Sequence, residues 1–175
     1  MNPVQHSLVL ASCVMAFAIG QAQAAPLTHT ENHTGSSVCD PALPIYALSL
    51  RERPAAIDNA GPFAAFVTCA LHGQGTGANV ITGHGAKSVA VYFTNGGGTD
   101  RTASCTASEA LSPTGGSTTR SIPVPAGSTQ QSIRFTDLDV SPSNNAWRTP
   151  ALSCSLPPGV GISTIWYVFD EEAPN

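Results

Sequence analysis

Apolar side chains recur at every second position through much of this chain, a period that strands satisfy and amphipathic helices do not. Phe63, Ala65, Val67, Cys69 and Leu71 are all apolar and alternate with Ala64, Phe66, Thr68 and Ala70, which predicts a strand with one wholly buried face. Val89, Val91 and Phe93 alternate with Ser88, Ala90, Tyr92 and Thr94. Ala103, Cys105 and Ala107 alternate with Thr102, Ser104, Thr106 and Ser108, so the second face there is entirely hydroxyl. Leu152, Cys154 and Leu156 alternate with Ala151, Ser153 and Ser155. Residues 162–169 are apolar on both faces and are expected to form a central strand. Weaker strand signals lie at 45–50, 79–82, 121–124 and 131–136.

The runs are separated by turn chemistry. Asn95-Gly96-Gly97-Gly98, Ser112-Pro113-Thr114-Gly115-Gly116, Pro125-Ala126-Gly127-Ser128 and Pro157-Pro158-Gly159 leave no room for a three-turn amphipathic helix, and a helical turn is expected at most within 51–60. The predicted fold is all-β: an antiparallel β-sandwich, jelly-roll or immunoglobulin-like, of eight or nine strands over residues 39–169. Of the 175 residues, the roughly 150 left once an N-terminal export segment is set aside can cover two facing sheets with a real core, so disulfides would support the fold rather than supply it.

Residues 1–24 read as a secretory signal peptide. The apolar run 8–19 is too short for a membrane span and is followed by Ala22-Gln23-Ala24, a small-residue cleavage pattern. Leu10-Ala11-Ser12-Cys13 has the look of a lipobox, but the apolar run continues past the cysteine. Cleavage would remove both methionines and one of the five cysteines, leaving Cys39, Cys69, Cys105 and Cys154 as an even set in an exported, oxidised chain. Three of these fall on the inward parity of their strands. Of the three possible connectivities, Cys39 with Cys69 and Cys105 with Cys154 is favoured, as buried links between facing strands. Residues 25–38 have no apolar periodicity and are expected to be a flexible leader, and 170–175 a solvated acidic tail. The expected location is periplasmic or secreted.

The charge balance removes whole classes of function. Charged residues make up 10% of the chain, with 7 Lys+Arg against 11 Asp+Glu, so no basic stripe exists for nucleic acid. Gly73-Gln74-Gly75-Thr76-Gly77-Ala78 fits a dinucleotide fingerprint as a string, but the β-prone Asn79-Val80-Ile81-Thr82 follows where a helix is required. His84-Gly85-Ala86-Lys87-Ser88 lacks the glycine of a phosphate loop, and no Gly-x-Ser-x-Gly exists for a hydrolase nucleophile. No cofactor is predicted. The only metal candidates are weak: His72 and His84 flanking the glycine-rich segment, His29 with Glu31 and His33 in the leader, and the oxygens of Asp137, Asp139, Ser141 and Asn144 for calcium.

Aromatic side chains offer another route to a ligand, because an exposed indole or phenol ring can act as a stacking platform for a sugar. Trp147, beside the polar stretch that includes Asn144 and Asn145, is the first candidate, and Tyr92 on the outward parity of its strand is the second. Trp166 and Tyr167 have opposite parity, so one must turn away from the face on which the other packs; Trp166 is assigned to the core.

Phe66-Val67-Thr68-Cys69, Val89 to Asn95, Thr102-Ala103-Ser104-Cys105 and Pro150 to Gly159 together resemble small exported bacterial β-sandwich proteins of unassigned function. The resemblance implies a β-sandwich and no activity. The reading that follows is a non-enzymatic binding or surface-interaction module, contacting a glycan or an envelope protein. The alternatives are a cell-envelope enzyme, metal-assisted at His72 and His84, and a structural subunit of an envelope assembly.

Overall fold

The computed structural model describes residues 27–71, 85–109, 116–140, 147 and 149–171. Eleven strands lie among them: β1 (Leu27–Thr34), β2 (Cys39–Pro41), β3 (Leu50–Arg53), β4 (Ala56–Asn59), β5 (Ala65–Ala70), β6 (Gly85–Asn95), β7 (Arg101–Glu109), β8 (Ser117–Val124), β9 (Gln131–Thr136), β10 (Pro150–Leu156) and β11 (Val160–Glu171). Two four-residue helical turns, α1 (Gly35–Val38) and α2 (Asp137–Val140), and a 3-10 turn (Pro44–Tyr46) complete the list.

All pairings are antiparallel, and the strands form two sheets. The first runs β3-β4-β11-β6-β9 with β1 also on β11, and the second runs β2-β5-β10-β7-β8. From β4 to β11 the chain passes between the sheets in the order that interleaves β4-β11-β6-β9 with β5-β10-β7-β8. That is the double Greek key of a jelly roll, which decides between the two sandwich types expected from sequence. The strand count exceeds eight or nine because β1, β2 and β3 extend the sheets beyond this eight-strand frame.

The expected core is largely the observed one. Val67, Cys69, Val89, Val91, Phe93, Ala103, Cys105, Ala107, Leu152, Cys154 and Leu156 are buried between the sheets, joined by Ile133, Phe135, Ile162, Ile165, Tyr167 and Phe169. Each fully buried side chain of the size of Val, Leu or Phe contributes about 1.5–3 kcal/mol. Ile162 and Ile165 have opposite parity yet both face inward, because a β-bulge between Ile162 and Thr164 resets the alternation.

Both disulfides have the favoured connectivity, Cys39–Cys69 and Cys105–Cys154. Each joins directly opposed residues on neighbouring strands of the second sheet, β2 with β5 and β7 with β10, rather than linking one sheet to the other. They are consistent with an oxidising, extracytoplasmic location. Among the described residues no helix is long and apolar enough to cross a membrane.

Five sequence expectations are corrected. Residues 27–34, expected to be flexible, pair along β11 from Leu27↔Glu171 to Thr34↔Thr164. That edge of a central strand would otherwise expose a row of unpaired amides and carbonyls, and it accepts a polar strand whatever its periodicity. The acidic tail begins later than expected, since β11 continues through Asp170 and Glu171. Asp170 is buried, accepts a hydrogen bond from Thr28 Oγ1 at 2.7 Å and lies 3.5 Å from Lys87 Nζ. Of residues 45–50 only Leu50 is in a strand, as the first residue of β3, because Pro44 opens a 3-10 turn over Pro44–Tyr46 and leaves Ile45 and Leu48 exposed. The segment 51–60 is a β3–β4 hairpin instead of a helical turn, and Phe63 lies in the exposed loop before β5. The 79–82 strand signal and the signal peptide lie outside the described residues.

Two buried asparagines close the strand ends with the same device. Asn59 Nδ2 donates to the carbonyls of Phe63 and Leu156 while its Oδ1 accepts from Gly61 N. Asn95 Nδ2 donates to Thr99 and Val124 while its Oδ1 accepts from Gly97 N. These loops are thereby held by side chains that a turn signal alone does not reveal.

The disulfides close segments of 30 and 49 residues, for which the loop-entropy argument gives about 3.6 and about 4.1 kcal/mol. Replacing Cys105 and Cys154 together by Ala is expected to lower the unfolding free energy by about 2–4 kcal/mol in urea titrations while the β-sheet circular dichroism persists. Loss of that spectrum would mean that the core does not hold the sandwich without the crosslink.

Candidate functional site

The outer faces of the two sheets differ in chemistry. On the second sheet Ser104, Thr106, Ser153 and Ser155 point away from the core, and Thr106 Oγ1 bonds Thr119 Oγ1 at 2.7 Å across β7 and β8. On the first sheet the register sets Asn32, Trp166, Ala90 and Arg134 in one row across β1, β11, β6 and β9. The next row is Thr34, Thr164, Tyr92 and Ser132. Trp166 and Tyr92 are therefore diagonal neighbours on adjacent strands, a spacing of about 7–8 Å that large rings bridge.

Two adjoining depressions lie on this face and share Tyr92 and Trp166 in their walls. The larger, about 410 Å³, opens toward Asn32, Gln130 and Thr164. The smaller, about 210 Å³, opens toward Ala90, Arg134 and Val168. The bulge after Ile162 brings Ser163 to the same side, where its Oγ donates to the Tyr92 carbonyl at 3.4 Å. Arg134 Nη2 donates to Ser88 Oγ at 3.2 Å, which holds the guanidinium along the sheet surface. The result is an aromatic floor bordered by amides, hydroxyls and one guanidinium, a lining that fits a ligand with apolar faces and many hydroxyls.

The sequence candidates divide as follows. Tyr92 lies at this site and is half-buried. Trp147 does not: it is fully buried, its Nε1 donates to the Ser108 carbonyl at 2.9 Å, and its backbone carbonyl accepts from Ala86 N at 2.8 Å. No ligand can stack on it from solvent. Trp166, assigned to the core from sequence, is 43% exposed, while its neighbour Tyr167 takes the inward place. Burial, aided by the nearby Glu31 carboxylate, pushes the Tyr167 phenol far above its ordinary range, so it is a neutral core group. β11 is central, as expected, but the assignment of Trp166 to the core fails because among the described residues no layer packs on the outer side of the first sheet at Trp166. That uncovered indole on a central strand is the site residue sequence reasoning missed, and the opposite parity of Trp166 and Tyr167 was its one available signal.

Asn144, Asn145, His72 and His84 lie outside the described residues. Among the described residues no group of three or more His, Cys, Asp or Glu side chains is placed to hold a metal ion. Asp139 from the calcium candidate set is engaged elsewhere: its carboxylate accepts from Thr136 N at 2.8 Å and from Arg120 Nη2 at 2.7 Å, tying α2 to β9 and β8. In β1, Glu31 Oε2 lies 3.0 Å from His33 Nε2, and His29 stacks on Phe169 with ring centroids 5.6 Å apart.

No protein-family model matches the sequence, and no curated protein matches it. Among solved structures, the chain is similar to the Podospora anserina GH26-CBM35 β-(1,4)-mannanase, with a TM-score of 0.45 and 10% identity over 83% of this chain and 28% of that one. It is similar to the exo-β-1,3-galactanase Pc1,3Gal43A of Phanerochaete chrysosporium, with a TM-score of 0.42 and 15% identity over 79% of this chain and 29% of that one. The chain thus spans under a third of the length of these enzymes. It is also similar to TmCBM61 in complex with β-1,4-galactotriose, with a TM-score of 0.39 and 11% identity over 81% of this chain and 88% of that one.

The opposite settings of the two tryptophans give a direct check of the site. Acrylamide is expected to quench only the Trp166 component of the emission, and a Trp166→Phe variant should leave a blue-shifted, weakly quenched signal from Trp147. Ready quenching in that variant would contradict the buried place of Trp147.

Proposed function

We propose that this protein is a non-catalytic glycan-binding module, and that oligosaccharide lies along the outer face of the first sheet against Trp166 and Tyr92. The observation that carries the reading is the exposed indole of Trp166 on a central, fully paired strand, where a buried core residue is the cheaper arrangement. A pyranose ring has an apolar face of C–H groups that packs on an aromatic ring, and a periphery of hydroxyls that need donors and acceptors. The walls supply both, from Asn32, Gln130, Ser132 and Thr164. The platform is rigid because β6 and the β4–β1 pair hold both edges of β11. Little ordering is therefore needed when a ligand binds.

Export to the periplasm or the exterior places such a module among envelope and extracellular polysaccharides. Cleavage after Ala24 would leave every described strand in the mature chain, since β1 begins at Leu27.

Replacing an aromatic anchor at the centre of a contact commonly costs 2 kcal/mol or more, about 30-fold in affinity. Trp166→Ala is expected to weaken binding to a soluble polysaccharide at least tenfold in affinity electrophoresis or calorimetry. Thr106→Ala, on the outer face of the second sheet, should leave it unchanged. Equal binding by wild type and Trp166→Ala, or the reverse ranking of the two variants, would overturn the assignment of the face.

A further inference from the structure

The glycan face carries a cation that no carboxylate neutralises among the described residues. Three other described cations are committed, Arg53 to Asp58, Arg120 to Asp139, and Lys87 to Asp137 and Asp170, while Arg51 and Arg101 line neither depression. Arg134 has a hydroxyl partner, Ser88, and no ion pair with any described residue. No Asp or Glu lines either depression.

Arg134 lies opposite Ala90, which in turn lies opposite Trp166. A methyl side chain thus floors the gap between indole and guanidinium, a gap two strand spacings wide, about 10 Å. A sugar ring lying in that gap against the Trp166 indole turns its ring substituents toward the guanidinium. The planar fork of arginine matches an oxyanion with two parallel hydrogen bonds, which a neutral hydroxyl cannot supply. The chain as a whole carries a net charge of −4, so a polyanion is repelled at long range and recognition of an anion must be local.

We infer that Arg134 reads an oxyanion on the bound sugar, so that the ligand class is an acidic oligosaccharide bearing uronate carboxylates or sulfate esters. The inference rests on the glycan-binding reading and adds the charge of the ligand to it.

The test titrates the full-length mature protein with an oligogalacturonate, its carboxyl-reduced neutral counterpart and a sulfated oligosaccharide of the same length. Wild type, Arg134→Gln and Trp166→Ala are compared at low and high salt, with circular dichroism to show that each variant is folded. Wild type is expected to prefer at least one anionic form over the neutral one by five- to tenfold. Arg134→Gln should abolish that preference, its loss of affinity falling on the anionic forms well beyond any loss for the neutral one, and Trp166→Ala should weaken all forms. The preferred anion identifies the source of the oxyanion. The salt dependence should correspond to about one released counterion rather than many. Equal affinity of wild type for neutral and anionic forms, or a preference that survives in Arg134→Gln, overturns the inference while a loss in Trp166→Ala upholds the glycan site. Failure of every form to bind, or binding unaffected by Trp166→Ala, overturns the glycan reading and the inference with it.

Discussion

The pairing of β11 along both edges is the constraint on which the rest of this sandwich depends. One edge is zipped to β6 from Val160↔Asn95 to Asp170↔Gly85, and the other is shared by β4 at Gly161 and Ile162 and by β1 from Thr164 onward. A strand held on both sides cannot rotate, so its faces are fixed once and for all. Ile165, Tyr167 and Phe169 go inward, and Trp166 must go outward. The sequence between β1 and β4 is adapted to this shared edge. Gly35 lies directly against the Ile162 carbonyl, where any Cβ would collide with backbone, so glycine alone lets α1 cross there.

Burial and exposure then divide the two sheets into different tasks. The second sheet carries both disulfides and an outer face of hydroxyls on β7 and β10, with Phe66 of β5 exposed beside them against the Tyr46 ring. Among the described residues the first sheet has no crosslink and keeps Trp166 and Arg134 exposed. Arg120 joins the two along one open side. It donates to the Arg134 carbonyl at 2.5 Å and to Asp139, and its guanidinium lies 5.7 Å from the centre of the Phe135 ring. The β8 and β9 edges are thereby sealed near the proposed ligand face, and the backbone of Arg134 is held while its side chain remains available. Proposed binding at this face and the stability of the core are separable for that reason: Trp166 and Arg134 project from the sheet and contribute little to the packed interior.

Much of the fold could be read from the alternation of Val89 to Phe93, Ala103 to Ala107 and Leu152 to Leu156, because one buried face imposes a period of two. The burial of the cysteines was legible for a related reason, since Cys69, Cys105 and Cys154 keep inward parity, but parity does not choose among the three pairings, and Cys39–Cys69 was favoured only by the place of Cys39 just before the first strand. Strand β1 was not legible: Leu27 to Thr34 alternates nothing apolar, and its place is set by the unpaired edge of a strand more than a hundred residues away in sequence. The site was half legible. Tyr92 declares itself by outward parity among valines, whereas Trp166 sits in a run apolar on both sides, and it is surface because no third layer covers it among the described residues. Trp147 misled for the converse reason, as a polar neighbourhood in sequence says nothing about a side chain that reaches back into the core.

The central claim is that ligand lies on the outer face of the sheet formed by β1, β11, β6 and β9. Backbone amide shifts of isotopically labelled protein, followed through a titration with an acidic oligosaccharide, test it without any substitution. The account predicts shifts concentrated at Asn32, Ala90, Tyr92, Arg134, Thr164 and Trp166, with the Trp166 indole N–H moving and that of Trp147 still. Shifts confined to β5, β7, β8 and β10, or to the Trp147 indole, would contradict it.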